Sequence, residues 1–172
     1  MLFRSQIFTF SASFQATETG LEHQLDMPAV PTPDTLPDFS RPPDEIAARL
    51  PEKLRRFMLR ERPFEFRPVE KTDFLRPHVG PPLQNVWFRT VDRLPDDEVL
   101  HRCLLAYVSD FGLLSTAARP HGMTFPATNL VMASIDHAMW FHRSPRVDDW
   151  LLRSEEHTSE LQSQFRISYA VF

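Results

Sequence analysis

The sequence has few glycines and one cysteine, and both scarcities exclude classes of function. Its 172 residues include four glycines, Gly20, Gly80, Gly112 and Gly122, so neither a phosphate-binding P-loop nor a dinucleotide fingerprint can be assembled. The cysteine, Cys103, excludes an internal disulfide framework and a metal site built from several thiolates. A GxSxG nucleophile elbow is also lacking, which argues against a serine hydrolase on the α/β-hydrolase scaffold.

Charge and hydropathy exclude two further kinds of partner. Lys and Arg number 19 and Asp and Glu 23, so the net charge is −4, which gives no electrostatic basis for binding nucleic acid. No run of about 18 apolar residues is present, and the first residues lack the basic start and apolar stretch of a secretory signal. Together with the single cysteine, these features predict a cytoplasmic protein without a membrane span.

The first third of the chain combines a strand pattern, a connector and a helical pattern. Residues 6–15, QIFTFSASFQ, alternate apolar and polar side chains and predict a strand. Residues 16–43 are rich in proline, as a connector between two packed units would be. In EIAARLPEKLRRFMLR, apolar residues at helical spacing predict two short helices, with Asp44 as a cap and a break at Pro51.

The remainder predicts two short strands, one long helix and one long strand. PFEFRPVE and QNVWFRTV alternate as strands do. LPDDEVLHRCLLAYVSDFGLL opens with two aspartates that suit the positive end of a helix, and the spacing predicts an inward face made of Val99, Leu100, Cys103, Leu104, Tyr107 and Phe111. TNLVMASIDHAMWFH is a strand candidate. This order favours the α+β class, with an antiparallel sheet that wraps one helix.

Two polar residues interrupt the apolar pattern of this predicted core. Asp110 falls on the inward face of the predicted helix with Tyr107, and Ser134 falls on one strand face with Met132 and Trp140. A carboxylate and a hydroxyl that face each other across a helix and a strand can orient and deprotonate a water molecule. The alternative is structural, because an aspartate near a helix end often hydrogen-bonds backbone and a strand serine often has a partner. Spacing alone favours the structural alternative.

Other candidate groups have weaker patterns. His137 and His142 lie five positions apart, which puts them on opposite faces of a strand and argues against a shared metal ion. Cys103 has no histidine at an activating spacing and is predicted to be a small buried residue. The basic run RRFMLRERPFEFR can meet an anionic ligand such as a nucleotide phosphate. Its pairing with Glu61 and Glu65 favours a solvated face instead.

Several stretches of the chain resemble the acyl-CoA thioesterase II family, a bacterial family related to the peroxisomal acyl-CoA thioesterases. They follow the family order from Gln6 to Leu152 and read SASFQATETGLEHQ, RPFEFRPVE, LPDDEVLHRCLLAYVSDFGLL, RPHG and MASIDHAMWFHRSPRVDDWLL. The resemblance implies a double hotdog fold, in which each unit is a long helix wrapped by an antiparallel sheet. It also implies hydrolysis of fatty acyl-CoA to fatty acid and CoA, without a cofactor because CoA belongs to the substrate, and homo-oligomeric assembly.

The resemblance further implies which residues act. The family uses an aspartate on the helix, a threonine or serine on the next strand and a glutamine on a later strand. Asp110 in YVSDFGLL matches the aspartate, and Ser134 in MASIDHAMWF matches the hydroxyl residue. No glutamine in a corresponding stretch follows Leu152. Gln15 has a similar setting, but it belongs to the end of the first hotdog and is not assigned this role.

The two ends of the chain resemble something other than a protein family. RSEEHTSELQS and ISYAVF resemble the translation of a widely used short-read sequencing adapter, and MLFRS resembles the translation of the opposite adapter's end. We therefore expect residues 1–5 and 153–172 to be artefact. The part with family resemblance then divides into the last strand of a first hotdog at 6–15, a linker at 16–43 and an incomplete second hotdog at 44–152.

These expectations differ for the parent enzyme and for the 172-residue chain. The parent enzyme is expected to hydrolyse acyl-CoA, whereas the 172-residue chain is expected to be inactive because its sheet would lack the strands after Leu152. Two alternatives stay open: a hotdog lyase of the enoyl-CoA hydratase type, and a non-catalytic acyl-CoA-binding module. The lyase usually pairs an aspartate with a histidine at a spacing that is not found around Asp110.

Overall fold

A computed structural model of the chain describes residues 7–16, 18–21, 23–71, 78–123, 136–156 and 166–170. Its central element is an antiparallel sheet of four strands in the order β1-β2-β3-β4. The strands are β1 (Phe64–Pro68), β2 (Leu83–Thr90), β3 (Leu151–Glu156) and β4 (Arg166–Ala170). Phe66 lies opposite Phe88, Trp87 opposite Leu152, and Ser154 opposite Ser168. The first two strands confirm the predictions for PFEFRPVE and QNVWFRTV.

Strand β2 is covered on both faces, which explains why Asn85 to Phe88 are all buried. On one face, Val86 and Phe88 pack with Phe64 and Phe66 of β1 in the main core. On the other face, the indole Nε1 of Trp87 donates a hydrogen bond of 2.9 Å to the carbonyl of Pro31 in the proline-rich linker. The linker is also fixed by Arg67 of β1, whose Nη1 donates to the carbonyls of Pro33 and Leu36 at 3.0 Å each.

Two short helices follow the linker, as predicted. They are α1 (Asp44–Ala47) and α2 (Glu52–Met58), and Pro51 is the N-cap of the second. Asp44 is not a cap, because Pro43 takes that position and Asp44 lies in the first turn. Leu50, Leu54 and Met58 form a small apolar cluster against Phe39, which also packs against the main core.

The predicted long helix is divided into two, α3 (Glu98–Ser109) and α4 (Leu113–Ala118). The division falls at Gly112, whose φ of 85° lies in the left-handed region that favours glycine. Asp97 is the N-cap of α3, and its side chain accepts hydrogen bonds from the backbone N–H groups of Val99 and Leu100. This capping agrees with the predicted role of the acidic residues at the start of the helix.

The inward face of α3 agrees with the prediction only in part, because Leu104 and Phe111 pack against the main core whereas other predicted residues do not. Val99 is 68% exposed, Tyr107 is 56% exposed and Cys103 is also exposed, whereas Leu105 and Val108 are buried in the core. The prediction placed apolar residues inside, but α3 has apolar residues on both faces. The buried face additionally includes the polar residues His101 and Ser109.

The strand predicted at 6–15 is not formed within the described residues 7–16, which contain neither helix nor strand. Ile7, Phe8, Phe10 and Phe14 are between 71% and 94% exposed there. A strand pattern requires a neighbouring strand to pair with and an apolar surface to cover its inward face. The strand predicted over TNLVMASIDHAMWFH lies largely outside the described residues, and its described part, 136–142, is not a strand.

The sheet continues beyond Leu152, against the expectation that it would stop there. Strand β3 extends to Glu156, because β2 is long enough to pair with it down to Leu83 opposite Glu156. Strand β4 then pairs with β3 over Arg166–Ala170. The adapter origin of residues 1–5 and 153–172, and the division into units at 15, 43 and 152, stay predictions.

Candidate active site

Asp110 lies at the C-terminal end of α3, where it is the C-cap residue with φ −81° and ψ −6°. Its side chain is exposed, so the prediction of a buried carboxylate was wrong. The physical reason is the rotation of α3, because the buried side of its last turn is formed by Val108 and Ser109. An exposed carboxylate at a helix end is accessible to water and to a ligand from outside.

Ser109, directly before Asp110, anchors a second segment of the chain at this helix end. It is fully buried, and its hydroxyl donates to the carbonyl of Ala106 at 2.7 Å. Its Oγ also lies 3.2 Å from Nε2 of His137 and 3.2 Å from the sulfur of Met139. Since the hydroxyl has one proton, it accepts from the Nε2–H of His137. Sequence reasoning missed Ser109, since a serine on a helix gives no signal of such a contact.

Ser134, the second predicted catalytic residue, lies outside the described residues. The described chain resumes at Asp136, and its next residue, His137, is the one that contacts Ser109. The structure therefore brings the segment that follows Ser134 to the end of α3, beside Asp110. Trp140 is 74% exposed in the same segment, so it does not share a buried strand face as predicted.

A buried polar group supports the chain just before β3. Asp148 is 3% exposed and accepts hydrogen bonds from Arg146 and from the backbone N–H of Leu94, each at 3.2 Å. Burial opposes its ionisation, but these hydrogen bonds and the charge of Arg146 outweigh burial and lower the pKa of Asp148 to about 2. The neighbouring Val147 N–H donates to Nδ1 of His101 at 3.2 Å, which ties this loop to α3.

A second buried group combines a carboxylate, a hydroxyl and an amide. Thr116 donates to Glu155 at 2.5 Å and lies 3.0 Å from the side-chain amide of Gln84. The Gln84 atom nearest Thr116 is the amide oxygen Oε1, which also accepts a hydrogen bond of 2.9 Å from Ser115. Glu155 also forms an ion pair with Arg153. Thr116, Arg153 and Glu155 are all buried, so this group stabilises the packing of α4 on the sheet.

The arginines of the basic run pair with two different glutamates, Glu52 and Glu65. Arg55 and Arg56 pair with Glu52, and not with Glu61 as predicted. Glu65 pairs with Arg67 at 2.5 Å and with Arg89 at 3.1 Å.

Two kinds of feature are absent from the described part of the chain. No group of three or more His, Cys, Asp or Glu residues that could hold a metal ion occurs there. None of the helices there is long and apolar enough to cross a membrane.

The antiparallel sheet with a helix against one face places the chain in the α+β class and agrees with part of a hotdog fold. A family model described as acyl-CoA thioesterase matches residues 56–166. The chain belongs to the acyl-CoA thioesterase family.

Relatives of known sequence support this assignment. The chain is 37% identical over 153 residues to acyl-CoA thioesterase 2 of Haemophilus influenzae, covering 89% of this chain and 54% of that protein. It is 35% identical over 155 residues to human acyl-coenzyme A thioesterase 8, covering 85% of this chain and 48% of that protein. The chain thus spans about half the length of the curated relatives it matches.

Two solved structures of similar proteins agree with the family assignment. The acyl-CoA thioesterase II TesB2 of Mycobacterium marinum matches with a TM-score of 0.60 and 40% identity, over 84% of this chain and 48% of that one. A TesB protein of Mycobacterium avium subspecies paratuberculosis matches with a TM-score of 0.56 and 28% identity, over 87% of this chain and 48% of that one. These matches confirm the predicted family and the hotdog fold class.

Proposed function

We propose that the intact parent enzyme, part of which this chain represents, hydrolyses fatty acyl-CoA thioesters to free fatty acid and CoA. The observation that carries this proposal is the family match over residues 56–166, together with relatives that are named as acyl-CoA thioesterases. CoA is part of the substrate, so the reaction requires no separate cofactor. We place the activity in the cytoplasm and expect the active form to be a homo-oligomer, on the strength of the sequence pattern and the family resemblance.

In the proposed reaction, Asp110 orients and deprotonates a water molecule, and the hydroxyl of Ser134 helps to hold it. The water oxygen attacks the thioester carbonyl carbon, the C–S bond of the resulting tetrahedral intermediate breaks, and the proton passes to the CoA sulfur. The exposure of Asp110 supports this role, because the carboxylate must reach a substrate that binds from outside. The contact between Ser109 and His137 supports it too, since it holds the segment after Ser134 at the same helix end.

The lyase alternative has less support than the hydrolase. All the relatives and structures described above carry the name thioesterase or TesB. An enoyl-CoA hydratase-type site would also need a histidine beside the catalytic aspartate. His137, the histidine at this helix end, bonds to the buried hydroxyl of Ser109.

The test is a chimera with the Haemophilus influenzae relative. Residues 6–152 replace the matching part of that protein, and release of CoA thiol from a long-chain acyl-CoA is measured. We expect hydrolysis by the chimera, and a fall in kcat of at least about a hundredfold for Asp110→Asn, the range for loss of a general base. Ser134→Ala is expected to lower kcat as well.

A matched control and the 172-residue chain complete this experiment. Asp136→Asn removes one exposed carboxylate close to the same helix end and is expected to leave kcat unchanged. The unaltered chain, assayed in parallel, is expected to be inactive. A folded Asp110→Asn chimera with undiminished kcat would refute the role of Asp110.

A further inference from the structure

The exposed side of α2 forms a small cavity with an excess of positive charge. The cavity has a volume of about 330 Å³ and is lined by Glu52, Arg55, Arg56, Leu59 and Arg60. Three guanidinium groups and one carboxylate give the lining a formal charge of +2, whereas the whole chain carries −4. Such a local excess attracts anions to this side of the molecule.

Glu52 holds two of the arginines in place. Its Oε2 accepts from Nε and Nη2 of Arg55 at 3.0 and 2.8 Å, and its Oε1 accepts from Nη2 of Arg56 at 3.2 Å. Hydrogen bonds from Arg55 and then Arg56 lower the pKa of Glu52, so the carboxylate is ionised at neutral pH. Each guanidinium has five N–H donors, which leaves several on Arg55 and Arg56 for a ligand.

Arg60 supplies the charge that Glu52 does not balance. Within the described ranges, Arg60 forms no ion pair or side-chain hydrogen bond. Burial, and after it the nearby charge of Arg60, lower the pKa of Arg62, which places Arg62 close to Arg60. Leu59, 48% exposed, adds an apolar wall beside these charges.

We propose that Arg55, Arg56 and Arg60 bind the phosphate groups of a nucleotide, and that this nucleotide is the CoA portion of the substrate. Guanidinium groups suit phosphate because their planar donors match its oxygens in pairs. The apolar wall of Leu59 fits the adenosine part of such a ligand. The identification of the nucleotide as CoA rests on the proposed function, whereas the anion site itself rests on the geometry of α2.

Calorimetric titration of the 172-residue chain with CoA, adenosine 3′,5′-bisphosphate and adenosine tests this inference. We expect CoA and the bisphosphate to bind and adenosine not to bind. Arg60→Gln is expected to raise the Kd for CoA about tenfold, as for the loss of one charge-assisted hydrogen-bonded contact. Arg60→Lys, which keeps the charge, is expected to restore part of the affinity.

Arg41→Gln is the matched control, since Arg41 is 86% exposed, lies outside the cavity and carries the same charge. Its Kd for CoA should equal that of the parent chain. An unchanged Kd in Arg60→Gln, or an equal loss in Arg41→Gln, would overturn the site. So would binding of inorganic phosphate or single-stranded RNA that is as tight as binding of CoA.

The outcome can be separated from that of the proposed function. If the chimera fails to hydrolyse acyl-CoA while the arginine variants still lose CoA binding, the proposed activity fails and the anion site stands.

Discussion

At the scale of single residues, Asp148 depends on its hydrogen bonds to stay ionised in a buried position. Arg146 contacts both carboxylate oxygens, and the N–H of Leu94 contacts one of them. The pKa of about 2 lies below the ordinary value of 3.8. Because the folded-state pKa is depressed, the carboxylate stabilises the fold above about pH 4, and this contribution is lost as the pH falls through about 2.

We predict that Asp148→Asn lowers the free energy of unfolding at pH 7 by about 1–3 kcal/mol, the cost of leaving buried partners poorly satisfied. The variant should also lose less stability than the parent chain between pH 4 and pH 2, because the titrating group is gone. Urea unfolding at several pH values measures both effects.

Asp149→Asn is the matched control for this prediction. The side chain of Asp149 is 51% exposed and pairs with Arg93, so its loss should change stability by less than about 1 kcal/mol. An Asp148→Asn variant whose stability falls with acid as steeply as that of the parent would contradict the assignment.

The residues buried in α3 show what the sequence pattern could not supply. Its apolar side chains occur on both faces, so their periodicity did not select one face. The selection depends on His101 and Ser109, which are polar yet buried: Nδ1 of His101 accepts from Val147 N–H, and the hydroxyl of Ser109 donates to the carbonyl of Ala106. Those partners include a loop residue 46 positions away, which no local pattern records.

At the scale of elements, the junction between α3 and α4 depends on a residue without a side chain. Gly112 has a φ of 85°, and a Cβ added there would lie 3.1 Å from Nη2 of Arg153. Arg153 is buried and paired with Glu155, so it has little freedom to move away. Both the positive φ and the short distance to Arg153 therefore favour glycine at position 112.

We predict that Gly112→Ala destabilises the fold by about 1–3 kcal/mol, the cost of a strained left-handed residue with a close contact. Thermal unfolding followed by circular dichroism measures this loss. Gly20→Ala is the control, since Gly20 has no atom within 4 Å of an added Cβ and no positive φ. Equal melting temperatures for the two variants would show that the junction is not strained.

Elements with strong local signals were predicted well from the sequence. β1 has period-two alternation, β2 has a short apolar run that is buried on both faces, and Pro51 marks the break between α1 and α2. Residues 6–15 have the same alternation as β1, but within 7–16 no strand forms. Alternation thus predicts a strand that can form, whereas pairing with a neighbour decides whether it does.

At the scale of the whole molecule, large apolar side chains remain exposed on several segments. They include Phe8 and Phe14 near the start, Val99 and Tyr107 on α3, and Trp140. Trp140 and Phe141 are adjacent in the chain and both exposed, and neighbouring exposed apolar side chains are typical of sites that associate with other surfaces. We predict concentration-dependent self-association of the purified chain at micromolar concentrations, measured by sedimentation velocity.

Substitution of the exposed aromatic pair tests this prediction. Trp140→Ser with Phe141→Ser should shift the chain toward smaller species without lowering its melting temperature, because the two residues are 74% and 43% exposed. Self-association that is equally strong in this variant would place the contact elsewhere.

The sequence predicted the candidate site in part, as it predicted the fold in part. The motif around Asp110 identified the residue through resemblance, and the structure puts it at an exposed helix end. The supporting contacts of Ser109 with His137 and Met139 depend on tertiary packing, so spacing gave no sign of them.

Phe39 has a consequence for how the molecule unfolds. It packs against the cluster of Leu50, Leu54 and Met58 and also against the main core, while its N–H donates to the carbonyl of Phe66. Release of α2 would therefore uncover a ring that the sheet also buries. Because Phe39 packs against both clusters, we expect the helical pair to lose its native packing together with the sheet, as one cooperative unit.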